Sequence, residues 1–152
     1  MRILIAAVGR AKPGPARDLY DHYANRLRWP LTLKEIEARP AGGAKVRKQR
    51  EAALLLRAVP AKARLIALDE GGKMLPSAEF AMMIAKARDS GVDDLVFAIG
   101  GADGHDEALL NKADEVLSLG PMTWPHLLVR GMLAEQLYRA QQILIHHPYH
   151  RQ

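Results

Sequence analysis

The chain has no cysteine among its 152 residues. Disulfides and thiolate metal sites are therefore excluded, and a reducing cytoplasmic setting fits. No apolar run approaches the roughly 18 residues of a membrane span. The apolar N-terminal stretch Ile3–Val8 is cut at Gly9-Arg10. It is too short for a signal-peptide core and lacks a small-residue cleavage site, so it reads as a buried strand. Both common phosphate-loop fingerprints are missing. Gly100-Gly101-Ala102-Asp103-Gly104 has the wrong glycine spacing for a dinucleotide loop, with no acidic ribose partner about 20 residues on, and no Gly-Lys-Ser/Thr follows it. No Ser-His-Asp arrangement stands out. His146, His147 and His150 lack carboxylate or cysteine partners at ligand spacing, so no metal is expected.

What is present fits one α/β domain, 1–152, with an ordinary 49% apolar and 26% charged content. The continuous apolar run 3–8 reads as a buried parallel strand, 64–69 as a third strand and 94–99 as a fourth, buried one. The segment 31–37 alternates apolar and polar, the mark of a strand exposed on one face. A short fifth strand fits 116–119. Helices fit 16–28, 46–59, 77–87, 107–113 and 127–145. For the second of these the apolar stripe is read as Ala53, Leu54, Leu56 and Val59, and for the third Ser77 is read as a cap. Glu70-Gly71-Gly72-Lys73 reads as a turn, with Asp69 before it as a turn cap or a catalytic acid. Strands alternating with helices give a mainly parallel sheet with helices on both faces. The general expectation for such a chain is right-handed, unknotted crossovers.

Net charge is +5. The bias concentrates in Arg39, Lys45, Arg47, Lys48, Arg50, Arg57, Lys62 and Arg64, against the single acid Glu51. Such a run is either a solvated helix face or a contact surface for a phosphate backbone.

The last third carries the chemistry. Two strands end in irregular loops, Gly100–Gly104 and Leu119-Gly120-Pro121-Met122-Thr123-Trp124-Pro125. Glycine lets backbone approach a ligand closely. Prolines stiffen the second loop, and Met122 and Trp124 can wall a pocket. Paired loops at strand ends are where an open α/β sheet binds small molecules. Glu135 and Arg139, spaced i, i+4, read as an ion pair. The tail His147-Pro148-Tyr149-His150-Arg151 joins an aromatic ring, a titratable ring and a guanidinium, a mix suited to a base and its phosphate.

Ile99-Gly100-Gly101-x-x-Gly104, Leu117-Ser118-Leu119, Thr123-Trp124-Pro125-His126, Leu128-Val129-Arg130, Ala134-Glu135-Gln136-Leu137-Tyr138-Arg139-Ala140 and the terminal His-Pro-Tyr-His-Arg together resemble the ribosomal RNA large-subunit methyltransferase H family. The Val8-Gly9 and Leu68-Asp69 strand ends also match, so the similarity covers essentially the whole chain. Two departures occur. The family commonly has Pro-Glu-Gly where this chain has Ala102-Asp103-Gly104, and His-Pro-Leu or His-Gln-Leu where it has His126-Leu127-Leu128.

The resemblance implies an S-adenosylmethionine-dependent enzyme of the SPOUT class, releasing S-adenosyl-L-homocysteine. It implies a C-terminal deep trefoil knot, which overrides the unknotted expectation, and a cytoplasmic homodimer whose dimer face is the long helix. The substrate would be N3 of a pseudouridine in 23S rRNA on the assembled ribosome. Cofactor-binding positions would be Leu68, Gly100, Gly101, Leu117, Leu119, Gly120, Pro121, Met122, Thr123 and Trp124. Catalytic positions would be His150, Tyr149, Arg151, Arg130 and Glu135, with Arg139, Tyr138, His147, Arg47 and Lys48 on the substrate side. A non-catalytic RNA- or ribosome-binding protein using the basic run is the rival reading; an ordinary doubly wound nucleotide enzyme is disfavoured by the missing phosphate loops.

Overall fold

A computed structural model describes residues 1–40 and 42–146. In chain order it contains β1 (Arg2–Val8), α1 (Pro15–Ala24), β2 (Leu31–Ile36), α2 (Ala44–Ala58), β3 (Arg64–Met74), α3 (Ser77–Asp89), β4 (Asp94–Ile99), α4 (Glu107–Lys112), β5 (Glu115–Ser118) and α5 (His126–Leu144). The strands form one sheet in the order β2-β1-β4-β3-β5, every neighbouring pair parallel. Parallel strands need crossovers, and the helices that supply them cover both faces.

One face packs under α3 and α5, with Ile3, Ile5, Ile66, Phe97, Phe80, Ile84, Leu133 and Leu137 in its core. The other packs under α2 and α4 through Val8, Leu65, Val96, Ala52, Leu55 and Leu109. Helix α1 has no fully buried residue. It lies against α5, where Gly131 admits it: a Cβ there would stand 2.7 Å from Leu19 Cδ2.

The structure revises several expectations. Helix α1 stops at Ala24, and Leu27 packs on the core from the connection that follows. On α2 the buried positions are Glu51, Ala52 and Leu55, while Ala53 is exposed. Leu54, Leu56 and Val59 of the expected stripe pack partly buried against the same core, so only Ala53 falls off it; the unbroken apolar run Ala52–Leu56 leaves the phase of the stripe open. Ser77 does not cap α3; its hydroxyl donates to Gln136 Oε1 on α5 at 2.7 Å. The turn expected at 70–73 is instead a continuation of β3. The strand bulges between Leu68 and Lys73, so that Leu68 and Lys73 both pair with Leu117. Gly72 makes this possible, since a Cβ there would lie 2.6 Å from the Leu117 carbonyl carbon.

Candidate active site

The C-terminal ends of β3, β4 and β5 open into a cleft of about 780 Å³. Its floor comes from Leu68 and Ile99, one wall from Gly100–Gly104, and the opposite wall from Leu119, Gly120, Met122, Thr123 and Trp124. Lys48 of α2 reaches its rim, and His126 and Val129 close it from α5.

Local chemistry shapes both walls. The first folds back on itself through Gly104 N–H donating to Gly101 O at 3.0 Å, with Gly104 at φ 79°. A Cβ on Gly100 would press 3.0 Å from the Gly104 carbonyl carbon. In the second, the Ser118 hydroxyl donates to Gly120 O and accepts from Gly120 N–H, while Gly120 adopts φ 114°. Thr123 donates to Glu70 Oε2 at 3.3 Å, tying this loop to the bulged end of β3.

The structure thus gathers at one cleft Leu68, Gly100, Gly101, Leu119, Gly120, Met122, Thr123 and Trp124. Leu117 and Pro121 do not line it. Leu117 is a core residue beneath, and Pro121 is exposed to solvent. Asp69 accepts from Gly71 N–H at 2.9 Å, the turn-cap geometry. Glu70, His105, His126 and Val129 also face the cleft, and none of them is among the expected site residues. Glu70 was hidden by the mistaken turn, and a single histidine within a loop carries no pattern of its own.

His105 is buried, with Nε2 3.2 Å from the Ala98 carbonyl. Burial lowers its pKa, against the opposing pull of that carbonyl and of Asp69. His126 is likewise lowered by burial, and by the Arg130 charge. In both rings burial favours the neutral form.

Arg130, a catalytic position in the resemblance, sits inside the fold. It is 1% exposed. Its Nη1 donates to Glu35 Oε2 at 2.8 Å, and its Nη2 donates to the Val8 and Gly9 carbonyls at 2.9 and 2.6 Å. It borders a second, smaller cleft of about 390 Å³ with Arg10, Arg17 and Tyr20. Its position makes it a clamp between α5 and the ends of β1 and β2.

The remaining expected residues fall into groups. Glu135 and Arg139 form the expected ion pair at 2.6 Å. Tyr138 is buried, its hydroxyl accepting from Arg26 at 2.8 Å. Arg47 Nε donates to Asp103 Oδ2 at 2.5 Å, joining α2 to the first wall. That hydrogen bond, with the Arg47 charge, holds the Asp103 carboxyl below its usual range against burial. His147, Tyr149, His150 and Arg151 lie outside the described residues. Among the described residues no cluster of histidine, aspartate or glutamate could hold a metal ion. No helix among them is long and apolar enough to cross a membrane.

A parallel sheet whose glycine-walled cleft sits beyond three strand ends is a small-molecule site of the open α/β kind. The family model described as "Predicted SPOUT methyltransferase" matches residues 1–150, and the chain belongs to that methyltransferase class. More narrowly, it belongs to the family of curated proteins named ribosomal RNA large subunit methyltransferase H. It is 60% identical over 151 residues to the one from Rhodospirillum centenum, covering 99% of each chain. It is 55% identical to that of Paramagnetospirillum magneticum and 53% to that of Rhodospirillum rubrum, again over 99% of both chains.

Proposed function

We propose that this protein transfers a methyl group from S-adenosylmethionine to N3 of a pseudouridine in 23S rRNA within the assembled ribosome. In this reading it acts in the cytoplasm as a homodimer whose C-terminal segment follows the trefoil path of its class. The observation that carries the proposal is the cleft beyond β3, β4 and β5, lined by eight of the ten residues that the family resemblance assigns to the cofactor.

The cleft suits that cofactor. Bare backbone at Gly100, Gly101 and Gly120 can meet the hydrogen-bonding edge of an adenine, while Leu68, Met122 and Trp124 offer apolar contact to its faces. Asp69 and Glu70 stand at the same cleft, where carboxylates attract an ammonium or accept from ribose hydroxyls. When bound, the cofactor supplies an electrophilic methyl on a sulfonium.

The protein's own task is then at the nucleobase. The N3–H of the base is a weak acid, and its proton must leave as the N–C bond forms. A positioned base contributes typically about 10²–10⁴-fold, and holding N3 in line contributes by proximity. We assign proton removal to His150 or Tyr149, and stabilisation of the developing charge to Arg151. Glu135, fixed against Arg139 on α5, joins the catalytic set, while Arg139, Tyr138, His147, Arg47 and Lys48 hold the substrate. Glu135 also accepts from Gln136, which leaves its carboxylate orientation well defined. The tail of one subunit would serve the cleft of the other.

The test is mass spectrometry of rRNA from a strain lacking the gene. Loss of one methyl at a pseudouridine, restored by the intact gene, is expected. Unchanged rRNA methylation together with no calorimetric signal for S-adenosylmethionine would leave a non-catalytic RNA binder as the better reading.

A further inference from the structure

The basic run from Arg39 to Arg64 is divided by the fold. Arg64 is spent on Glu115 at the start of β3. Arg57 lies in the last turn of α2, and Lys62 follows it. A 12-residue separation along a helix is about 18 Å, so Arg57 stands that far from Lys45. The other end of α2 meets the cleft. There Arg47 bonds Asp103, Lys48 lines the rim, and Arg50 donates to Pro40 O at 3.4 Å, which brings the β2–α2 connection alongside. Arg39 and Lys45 are exposed at this end.

Two cations outside the run join them. Gly9 N–H donates to Ile36 O at 2.8 Å and Ala11 N–H donates to Glu35 Oε2 at 2.6 Å. These bonds hold the β1–α1 connection, with exposed Arg10 and Lys12 nearby, beside the end of β2. The acids of this edge are largely committed. Glu35 is held by Arg130, Asp103 by Arg47, and Glu51 is buried, leaving Glu37 as an exposed one. Glycine-loop backbone is in contact with the same edge, since a Cβ on Gly101 would stand 3.0 Å from Val8 Cγ1.

We infer that Arg10, Lys12, Arg39, Lys45 and Lys48 form a phosphate-backbone track that leads a structured RNA into the cleft. The track rests on the rRNA reading above and adds where the nucleic acid lies. Arg47 is the positioning residue of the set, committed to the glycine wall. Arg57, Lys62 and Arg64 belong to a solvated end that RNA does not touch. Cation–phosphate contacts release counterions, so the track has a signature in salt dependence: roughly 0.7–0.9 in the log–log slope per phosphate engaged.

The experiment compares two triple variants of equal charge change. The first is Arg10→Gln/Lys12→Gln/Lys45→Gln, and the control is Arg57→Gln/Lys62→Gln/Lys86→Gln, Lys86 being an exposed residue in the last turn of α3. Binding to purified ribosomes is measured across a potassium chloride series, and binding of S-adenosylmethionine by calorimetry confirms intact folding of each variant. The track predicts a loss of about tenfold or more in ribosome affinity and a salt slope lower by about 2 for the first variant, with the control within about twofold of the parent. Equal weakening of both variants, or of neither, overturns it. Excess double-stranded RNA should compete for binding over the same salt range. Failure to compete assigns the surface to a ribosomal protein and overturns the RNA track. If the parent chain binds cofactor but no ribosome, the rRNA reading itself fails and the track with it.

Discussion

Arg130 and Glu35, 95 residues apart in the chain, form an ion pair of 2.8 Å that locks the first turns of α5 to the last residues of β2. The arginine is 1% exposed, and its second nitrogen holds the carbonyls that end β1. Helix α5 starts just after the Met122–Trp124 wall, so the clamp fixes the cleft as well as the core.

Removing the arginine leaves two carbonyls and a carboxylate without their donor. Arg130→Ala should lose about 1–3 kcal/mol of stability, the cost of leaving buried acceptors without their donor, as read by urea unfolding. Burial pushes the Glu35 carboxyl up, but the Ala11 N–H and Arg130 outweigh it and hold its pKa below the ordinary 4.5. A depressed carboxylate stabilises above its unfolded pKa and loses that stability as pH falls through the folded one. The parent should therefore destabilise below about pH 4.5 more steeply than Glu35→Gln. Parallel pH profiles for the two would sink this account of the pair.

How much of this was legible beforehand depends on distance along the chain. Ile3–Val8 and Asp94–Ile99 announced themselves because a strand covered on both faces needs apolar residues without interruption. The cleft loops were legible from glycine and proline. The Arg130 clamp was not, because nothing local in Leu128-Val129-Arg130 says that its partner lies on β2. The extension of β3 was missed for a related reason. Glu70-Gly71-Gly72-Lys73 has turn composition, and only the approach of the β5 backbone explains why Gly72 is glycine. Strand order was equally out of reach, since β4 entering between β1 and β3 is a long-range choice.

At Gly72 the constraint is steric. An added methyl would meet Leu117 backbone at 2.6 Å and Val116 backbone at 2.8 Å, and backbone in a ladder cannot step aside as a side chain can. Gly72→Ala should cost about 1–3 kcal/mol and displace β5, from which the second cleft wall begins. Thermal unfolding and cofactor calorimetry should fall together. Gly42→Ala is the comparison for the steric term: its site has open space around the Cβ and, like Gly72, no left-handed φ. A Gly72→Ala protein with parent stability and affinity would show that β3 and β5 do not pair past the bulge.

Glu51 is the buried acid of α2. Its Oε2 has no hydrogen-bond partner among the described residues, and a Cβ on Gly101 would lie 3.1 Å from it. Burial raises its pKa, Asp103 raises it further, and Arg47 opposes both. A raised carboxyl binds its proton more tightly in the folded state, so it costs stability as pH rises above its unfolded value. Glu51→Gln should consequently match the parent near about pH 4 and exceed it at about pH 7 to 8, by on the order of 1 kcal/mol for relieving one unsatisfied buried group. Chemical unfolding at the two pH values measures this directly. A variant less stable than the parent at the higher pH would mean that the carboxylate is charged and paired in the folded protein.

Trp124 gives the cleft an optical reporter. The chain has two tryptophans; Trp29 packs on the core, and Trp124 is 40% exposed on the second wall. In a Trp29→Phe background the remaining indole should change its emission in a saturable way as S-adenosylmethionine is added, because a ligand seated between Gly100 and Met122 removes water from that ring. The midpoint should agree with the calorimetric dissociation constant. Trp124→Ala should weaken binding by roughly tenfold, equivalent to about 1.4 kcal/mol of lost aromatic contact, while leaving the unfolding midpoint close to the parent because the side chain is not part of the core. Calorimetric binding with no change in indole emission, and no effect of Trp124→Ala, would place the cofactor somewhere other than this cleft.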